Sequence, residues 1–120
     1  GGDIVMRVTA KIIKNAAVVI AVYNNRKLEK RIEKYGALYV ERAHFAEIQA
    51  IGGAIQNMVL QTNELGLGCV WLDAVTFFSA EINNILNQEH ELVAFLAIGY
   101  PSTLPNRSKR QDGNVIKRFI

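Results

Sequence analysis

Apolar residues recur along the chain at two spacings, which predict alternating helices and strands. In residues 4–13 they return every three to four positions, so we predict a short amphipathic helix that ends near Asn15. Residues 16–23 form an unbroken apolar, β-branched run that stops at Asn24 and Asn25. Such a run is typical of a strand covered on both faces, so we predict that it is a central strand.

The following segment is polar and predicts a helix on the surface. Between Arg26 and Tyr35, charged residues surround Leu28 and Ile32, which fall on one face of a helix. We expect this helix to end at Gly36, since glycine accepts the backbone conformation that often follows a last helical turn.

Residues 45–65 predict the longest helix of the chain. One face is apolar and the other carries small residues, namely Ala46, Ala50, Gly53 and Ala54. A helix of this kind is usually buried on nearly all sides. Gly52 and Gly53 each cost about 1 kcal/mol relative to alanine, which the close approach of another backbone can offset. A chain of 120 residues has little material to cover such a helix, so we predict that it lies at a subunit interface.

The C-terminal half predicts two more strands, one short helix and a tail. Gly66 suits the left-handed position after the long helix, and residues 69–72 predict a short buried strand. Ser79 is a candidate N-cap for a helix over residues 80–86. Residues 91–100 predict a third strand, and residues 101–120 an extended C-terminal arm.

The composition indicates which class of protein the chain belongs to. Half of the residues are hydrophobic and 21% are charged, as in a folded single domain, which we place at residues 1–120. No apolar run approaches the roughly 18 residues of a membrane span. The first residues do not resemble a signal peptide and Cys69 is the single cysteine, so we expect a cytoplasmic protein. A net charge of +3 is too mild to favour nucleic-acid binding.

Side-chain chemistry is sparse. His44 and His90 lack Cys, Asp or Glu partners at metal-ligand spacing, so we predict no metal site. Cys69 lies in a predicted apolar strand, so we predict that its thiol is buried and inert. The sequence contains neither a nucleophile elbow nor a phosphate-binding loop. A cofactor that carries the chemistry itself is compatible with this scarcity.

The order of motifs carries a family resemblance. Residues 51–60 read IGGAIQNMVL, residues 64–72 read ELGLGCVWL, and the last strand ends in Gly99, Tyr100 and Pro101. From about Ala10 onward, this order is similar to the C-terminal half of nitroreductase-family flavoproteins. The resemblance implies an α+β three-layer sandwich with a central sheet and a long buried helix. It also implies an intertwined homodimer that binds one FMN in each of two interface clefts.

The resemblance also implies residues for the cofactor site. The positions that match the contact with the flavin N5 edge are Leu72, Asp73 and Ala74, followed by Val75. The positions that match the FMN phosphate contact are Arg107, Lys109 and Arg110, for which a solvated basic tail is the alternative. Trp71 is either a core residue or a neighbour of the cofactor.

Two functional hypotheses follow from the resemblance. The first is an FMN-dependent NAD(P)H oxidoreductase that reduces nitroaromatics, quinones or related acceptors. The second is a non-catalytic dimerisation or binding module that kept the fold and lost the cofactor site. The family's Arg-rich N-terminal motif is not found before Ile4, so we expect either a fragment of a longer protein or a truncated relative.

Overall fold

The computed structural model describes residues 1–109, and its elements follow the predicted order. They are α1 (Gly2–Asn15), β1 (Val18–Asn24), α2 (Lys27–Ile32), a 3₁₀ turn (Glu33–Tyr35), α3 (Ala37–Glu64), β2 (Gly68–Leu72), a second 3₁₀ turn (Ala74–Phe78), α4 (Ser79–Leu86) and β3 (Glu91–Gly99). The long helix starts at Ala37 rather than at residue 45, so it spans 28 residues. No helix within residues 1–109 is both long and apolar enough to cross a membrane.

The three strands form one antiparallel sheet with β3 in the middle. The order is β1-β3-β2, and both neighbours run antiparallel to β3. The prediction that residues 16–23 form a central strand is therefore wrong for the described part of the chain, where β1 lies at an edge. An apolar run indicates that both faces of a strand are covered, but it does not indicate how many strands pair with that strand.

Helices cover both faces of the sheet and make three layers. On one face, Phe95 and Leu72 pack against Ile12 and Ile13 of α1. On the other face, Leu96 packs against Ile55 of α3, and both side chains are fully buried. This confirms the α+β layered architecture that the resemblance implied.

A bulge in β3 changes which side chains face each layer. Val22 pairs with Ala94 and Tyr23 with Leu92, so Val93 is the extra residue. Val93 and Ala94 consequently join the same cluster under α3, whereas Leu92 belongs to the opposite one. The shifted register pairs Asn24 with Glu91 at the end of the strand, where two polar side chains meet.

Within one chain, α3 is buried along a single side. Only Ala43, Ile55 and Thr62 of this helix are buried. Gly52 faces the sheet, since a methyl group added there would lie 3.7 Å from the Trp71 ring, but Gly53 has open space around it. Burial of the outer side of α3 requires a partner, and the subunit interface stays a prediction.

Two local predictions need correction. Ser79 is the first residue of α4 rather than its cap, which is Phe78, and the Ser79 side chain forms no capping hydrogen bond. The strand β2 is less buried than predicted, because Val70 and Trp71 remain 41% and 42% exposed at the sheet edge.

Gly66 adopts the left-handed conformation predicted from the sequence, with φ +73°. Because an L side chain costs about 1–2 kcal/mol there, Gly66→Ala is expected to lower the free energy of unfolding by that amount in a urea titration. Gly2→Ala is the matched control, since Gly2 begins α1 and has open space around it. Equal stability of the two variants would contradict a strained position.

Candidate functional site

The turn after β2 contains the residues matched to the flavin edge. Leu72 and Val75 are buried and fix the turn from both ends, whereas Asp73 is exposed and Ala74 half-buried. The backbone N–H and the hydroxyl of Thr76 both donate to the Asp73 carbonyl, at 3.0 and 2.8 Å. The N–H groups of Ala74 and Val75 precede this first bond and have no partner within the turn. They are suitable donors for an acceptor atom of a bound planar ligand.

Aromatic side chains flank this turn and remain largely exposed. Trp71 is 42%, Phe77 79% and Phe78 46% accessible. Exposed apolar side chains of this size often belong to a binding site or an interface. The turn therefore has backbone N–H groups without a partner inside it, and exposed aromatic residues lie next to it in the chain.

The residues matched to the phosphate contact lie elsewhere in the chain. Arg107 and Lys109 are exposed, and Arg110 lies outside the described residues. Gly99 pairs with Gly68 at the start of β2, so the arm leaves the sheet at the opposite end of β2 from Leu72. Between residues 1 and 109, no carboxylate forms an ion pair with Arg107 or Lys109.

A groove of about 650 Å³ runs beneath the start of the arm. Its walls come from α1, α3, the start of β2, the end of β3 and residues 101–105. Polar groups from Lys11, Asn15 and Asn63 line otherwise apolar walls. Neither Arg107 nor Lys109 lines this groove.

A cluster of polar side chains, the Asn24 cluster, lies where β1 ends and β3 begins. Its members are Asn24, Arg26, Glu29, His44, Glu47 and Glu91. Asn24 is only 3% exposed, and its amide donates to Glu47 at 3.0 Å and to Glu91 at 3.1 Å. His44 Nε2 lies 2.8 Å from Glu91 Oε1.

The pKa values of the carboxyl groups in the cluster are shifted in opposite directions. Burial alone would raise the pKa of Glu91, but hydrogen bonds from His44, Arg26 and Asn24 outweigh it and lower the pKa below its usual value. Burial likewise opposes ionisation of Glu47, yet hydrogen bonds from Asn24 and from the Leu28 backbone lower its pKa. Burial and the neighbouring Glu47 carboxyl group raise the pKa of Glu29. The three carboxyl groups are therefore not equivalent.

A cleft of about 810 Å³ opens beside this cluster. Its wall includes His44, Glu91 and Arg26 from the cluster, and Thr76 and Asn83 from the segment that follows β2. The Asn83 side-chain oxygen is buried without a hydrogen-bond partner among the described residues.

Sequence reasoning did not find the Asn24 cluster. His44 and Glu91 are 47 residues apart, and no local spacing connects them. The bulge in β3 and the packing of α3 bring them together. Cys69 is half-buried in β2, and burial raises the pKa of its thiol. Its inertness stays a prediction.

Comparisons with known proteins agree with this fold. A model of the nitroreductase family matches residues 4–100. The solved structure of a protein from Desulfovibrio desulfuricans, assigned as a nitroreductase and determined in complex with FMN, has a TM-score of 0.58 to this chain at 20% identity. The match covers 98% of this chain and 86% of that chain. No curated protein matches the sequence.

Proposed function

Because this chain belongs to the nitroreductase family, we propose that it is an FMN-dependent oxidoreductase. NADH or NADPH is the proposed electron donor, and a nitroaromatic, a quinone or a related compound the acceptor. The single cysteine supports a reducing, cytoplasmic setting as part of the same proposal. The observation that carries the proposal is the turn after β2, in which the N–H groups of Ala74 and Val75 precede the first hydrogen bond and next to which aromatic side chains are exposed.

The residues of this chain fit FMN in their chemistry. The N–H groups of Ala74 and Val75 are donors for the acceptor atoms along the flavin edge. Arg107 and Lys109 carry positive charge without an ion pair between residues 1 and 109, and such groups bind phosphate well. FMN, when bound, would supply the redox chemistry that connects NAD(P)H with the acceptor.

The protein's own contribution is positioning and exclusion of water. Buried Leu72 and Val75 hold the turn so that its N–H groups present a fixed direction to a ligand. Trp71 precedes the turn and Phe77 and Phe78 end it, and all three side chains are exposed. One chain leaves these rings open to solvent, so the proposal includes a homodimer whose second subunit closes the cleft.

Titration with FMN tests the proposal, and Trp71 is its internal reporter. It is the single tryptophan and directly precedes Leu72, so bound FMN should quench its fluorescence. NADPH should then bleach the flavin absorbance under nitrogen. The double variant Arg107→Ala/Lys109→Ala is expected to weaken FMN binding at least tenfold, about 1.4 kcal/mol, through loss of charge-assisted contacts.

The control removes equal charge elsewhere. Lys27→Ala/Arg31→Ala takes two exposed cations from α2 and should leave FMN affinity unchanged. If both double variants bind FMN equally well, the phosphate assignment fails but the flavin proposal survives. A colourless protein that leaves FMN fluorescence unperturbed would instead support the non-catalytic dimerisation module.

A further inference from the structure

Three residues of the Asn24 cluster have the arrangement of a metal-ligand set. The nearest ligand atoms of Glu29, His44 and Glu91 all lie within 4.8 Å of one another. They come from α2, α3 and β3, so three separate elements converge on one point. One imidazole and two carboxylates form a donor set that first-row transition metals accept.

The hydrogen bonds divide the cluster into ligands and supports. Both oxygens of Glu47 are occupied, one by the Leu28 N–H at 2.6 Å and the other by the Asn24 amide at 3.0 Å. Arg26 and Asn24 hold Glu91 Oε2, at 3.3 and 3.1 Å. Glu91 Oε1 is left facing His44 Nε2. His44 Nε2 and Glu91 Oε1 share a hydrogen bond at 2.8 Å, which a metal ion would have to replace.

Glu29 supplies an independent observation at this point. Its side chain is 12% exposed, and its Oε1 is buried with no hydrogen-bond partner between residues 1 and 109. Arg26 Nε lies 4.0 Å away, too far to donate a hydrogen bond. A buried carboxylate oxygen without a partner is costly, so it calls for a proton or a cation.

The charge of the cluster points the same way. Glu29, Glu47 and Glu91 contribute three negative charges when ionised and Arg26 one positive charge, which leaves two uncompensated while His44 is neutral. A divalent cation would neutralise them. The cleft beside His44 and Glu91 gives such an ion a path from solvent.

We propose that Glu29, His44 and Glu91 bind one divalent transition-metal ion of the zinc type. The site requires modest rearrangement, because ligand atoms around tetrahedral zinc lie about 3.3 Å apart at bond lengths of about 2.0–2.1 Å. The half-exposed cleft leaves a coordination position for water. Buried Asn24 is the outer support that orients Glu91, as hydrogen-bonded partners of metal ligands commonly do.

Protons are the competing occupant. Protons bound to the cluster would neutralise it equally well. The two occupants differ in a measurable way, because a metal ion must displace protons from its ligands. Calorimetry in two buffers of different ionisation enthalpy measures how many protons leave on binding.

The test uses the full chain, stripped with a chelator and titrated with Zn²⁺ or Co²⁺. We expect one ion per chain, proton release near pH 7, and a visible Co²⁺ absorption band. Glu29→Gln and His44→Gln should each weaken binding at least tenfold. The matched controls are Glu33→Gln, an exposed carboxylate, and His90→Gln, which lines the same cleft but is not a ligand.

Several results would overturn the proposal. They are the absence of saturable binding, affinity that His44→Gln leaves intact, and equal losses in the ligand and control variants. Circular dichroism and urea titration of the metal-free variants check that each one folds, and Glu29→Gln preserves side-chain shape if His44→Gln does not fold. FMN binding by the same metal-free protein keeps this outcome distinguishable from that of the oxidoreductase proposal.

Discussion

Gly53→Leu is expected to turn a dimer into a monomer while leaving the fold of each chain intact. Two residues correspond to about 200° of rotation around a helix, so Gly53 points away from buried Ile55. Nothing among residues 1–109 lies within 4 Å of a methyl group added at Gly53. Leucine is also a better helix former than glycine, which costs about 0.8–1.0 kcal/mol relative to alanine. A monomer therefore tolerates the change.

A close-packed dimer does not tolerate it. Overpacking costs about 1–3 kcal/mol per site, and a two-fold interface contains the site twice. The dimer dissociation constant should therefore rise roughly 30-fold or more, since each 1.4 kcal/mol is about tenfold. Sedimentation velocity over a range of protein concentrations measures the shift.

Ala10→Leu on α1 is the matched control for Gly53→Leu, because it adds leucine at another exposed helical position. It should not change the association. A wild-type protein that sediments as a monomer at all concentrations would remove the interface and the closed cleft with it. A dimer that accepts Gly53→Leu would place the interface on another surface.

Leu96→Ala should produce the largest loss of stability. Leu96 is 0% exposed in the middle strand and packs against Ile55 and Ala94 under α3. Removing a fully buried leucine side chain costs about 2–5 kcal/mol through lost burial and the cavity left behind. That is a large share of the about 5–15 kcal/mol that stabilises a typical domain.

Urea unfolding at fixed protein concentration measures the Leu96→Ala effect, since association would otherwise shift the apparent stability. Val18→Ala is the control, because Val18 starts the edge strand and is 55% exposed. Its loss should stay below about 1 kcal/mol. Similar losses at the two positions would mean that the sheet does not have β3 at its centre.

Local sequence patterns predict individual helices and strands, whereas the pairing of strands depends on residues far apart in the chain. The periodicity of residues 4–13 and the unbroken run of residues 16–23 predicted α1 and β1, because each pattern depends on contacts within one element. The same run could not reveal that β1 lies at an edge. That depends on β3, whose pairing begins between Val18 and Ile98.

For the candidate flavin residues, too, the sequence indicated some features and the structure added others. Family resemblance indicated Leu72, Asp73 and Ala74, and the structure adds that Leu72 ends β2, Asp73 caps the following 3₁₀ turn and Ala74 starts it. For Arg107 and Lys109 the sequence indicated only charge, and their contact with FMN remains a proposal. The outward orientation of Gly53 is visible only after α3 has been packed on the sheet.

By itself, the sequence determined the order and type of the elements, the left-handed turn at Gly66, and the family. Tertiary structure alone decided the strand order, the bulge at Val93 and the meeting of Glu29, His44 and Glu91. The physical reason is that helix and strand periods encode which faces are buried, a property of neighbouring residues. Which buried faces and strand ends meet depends on packing between segments that lie as far apart as Asn24 and Glu91.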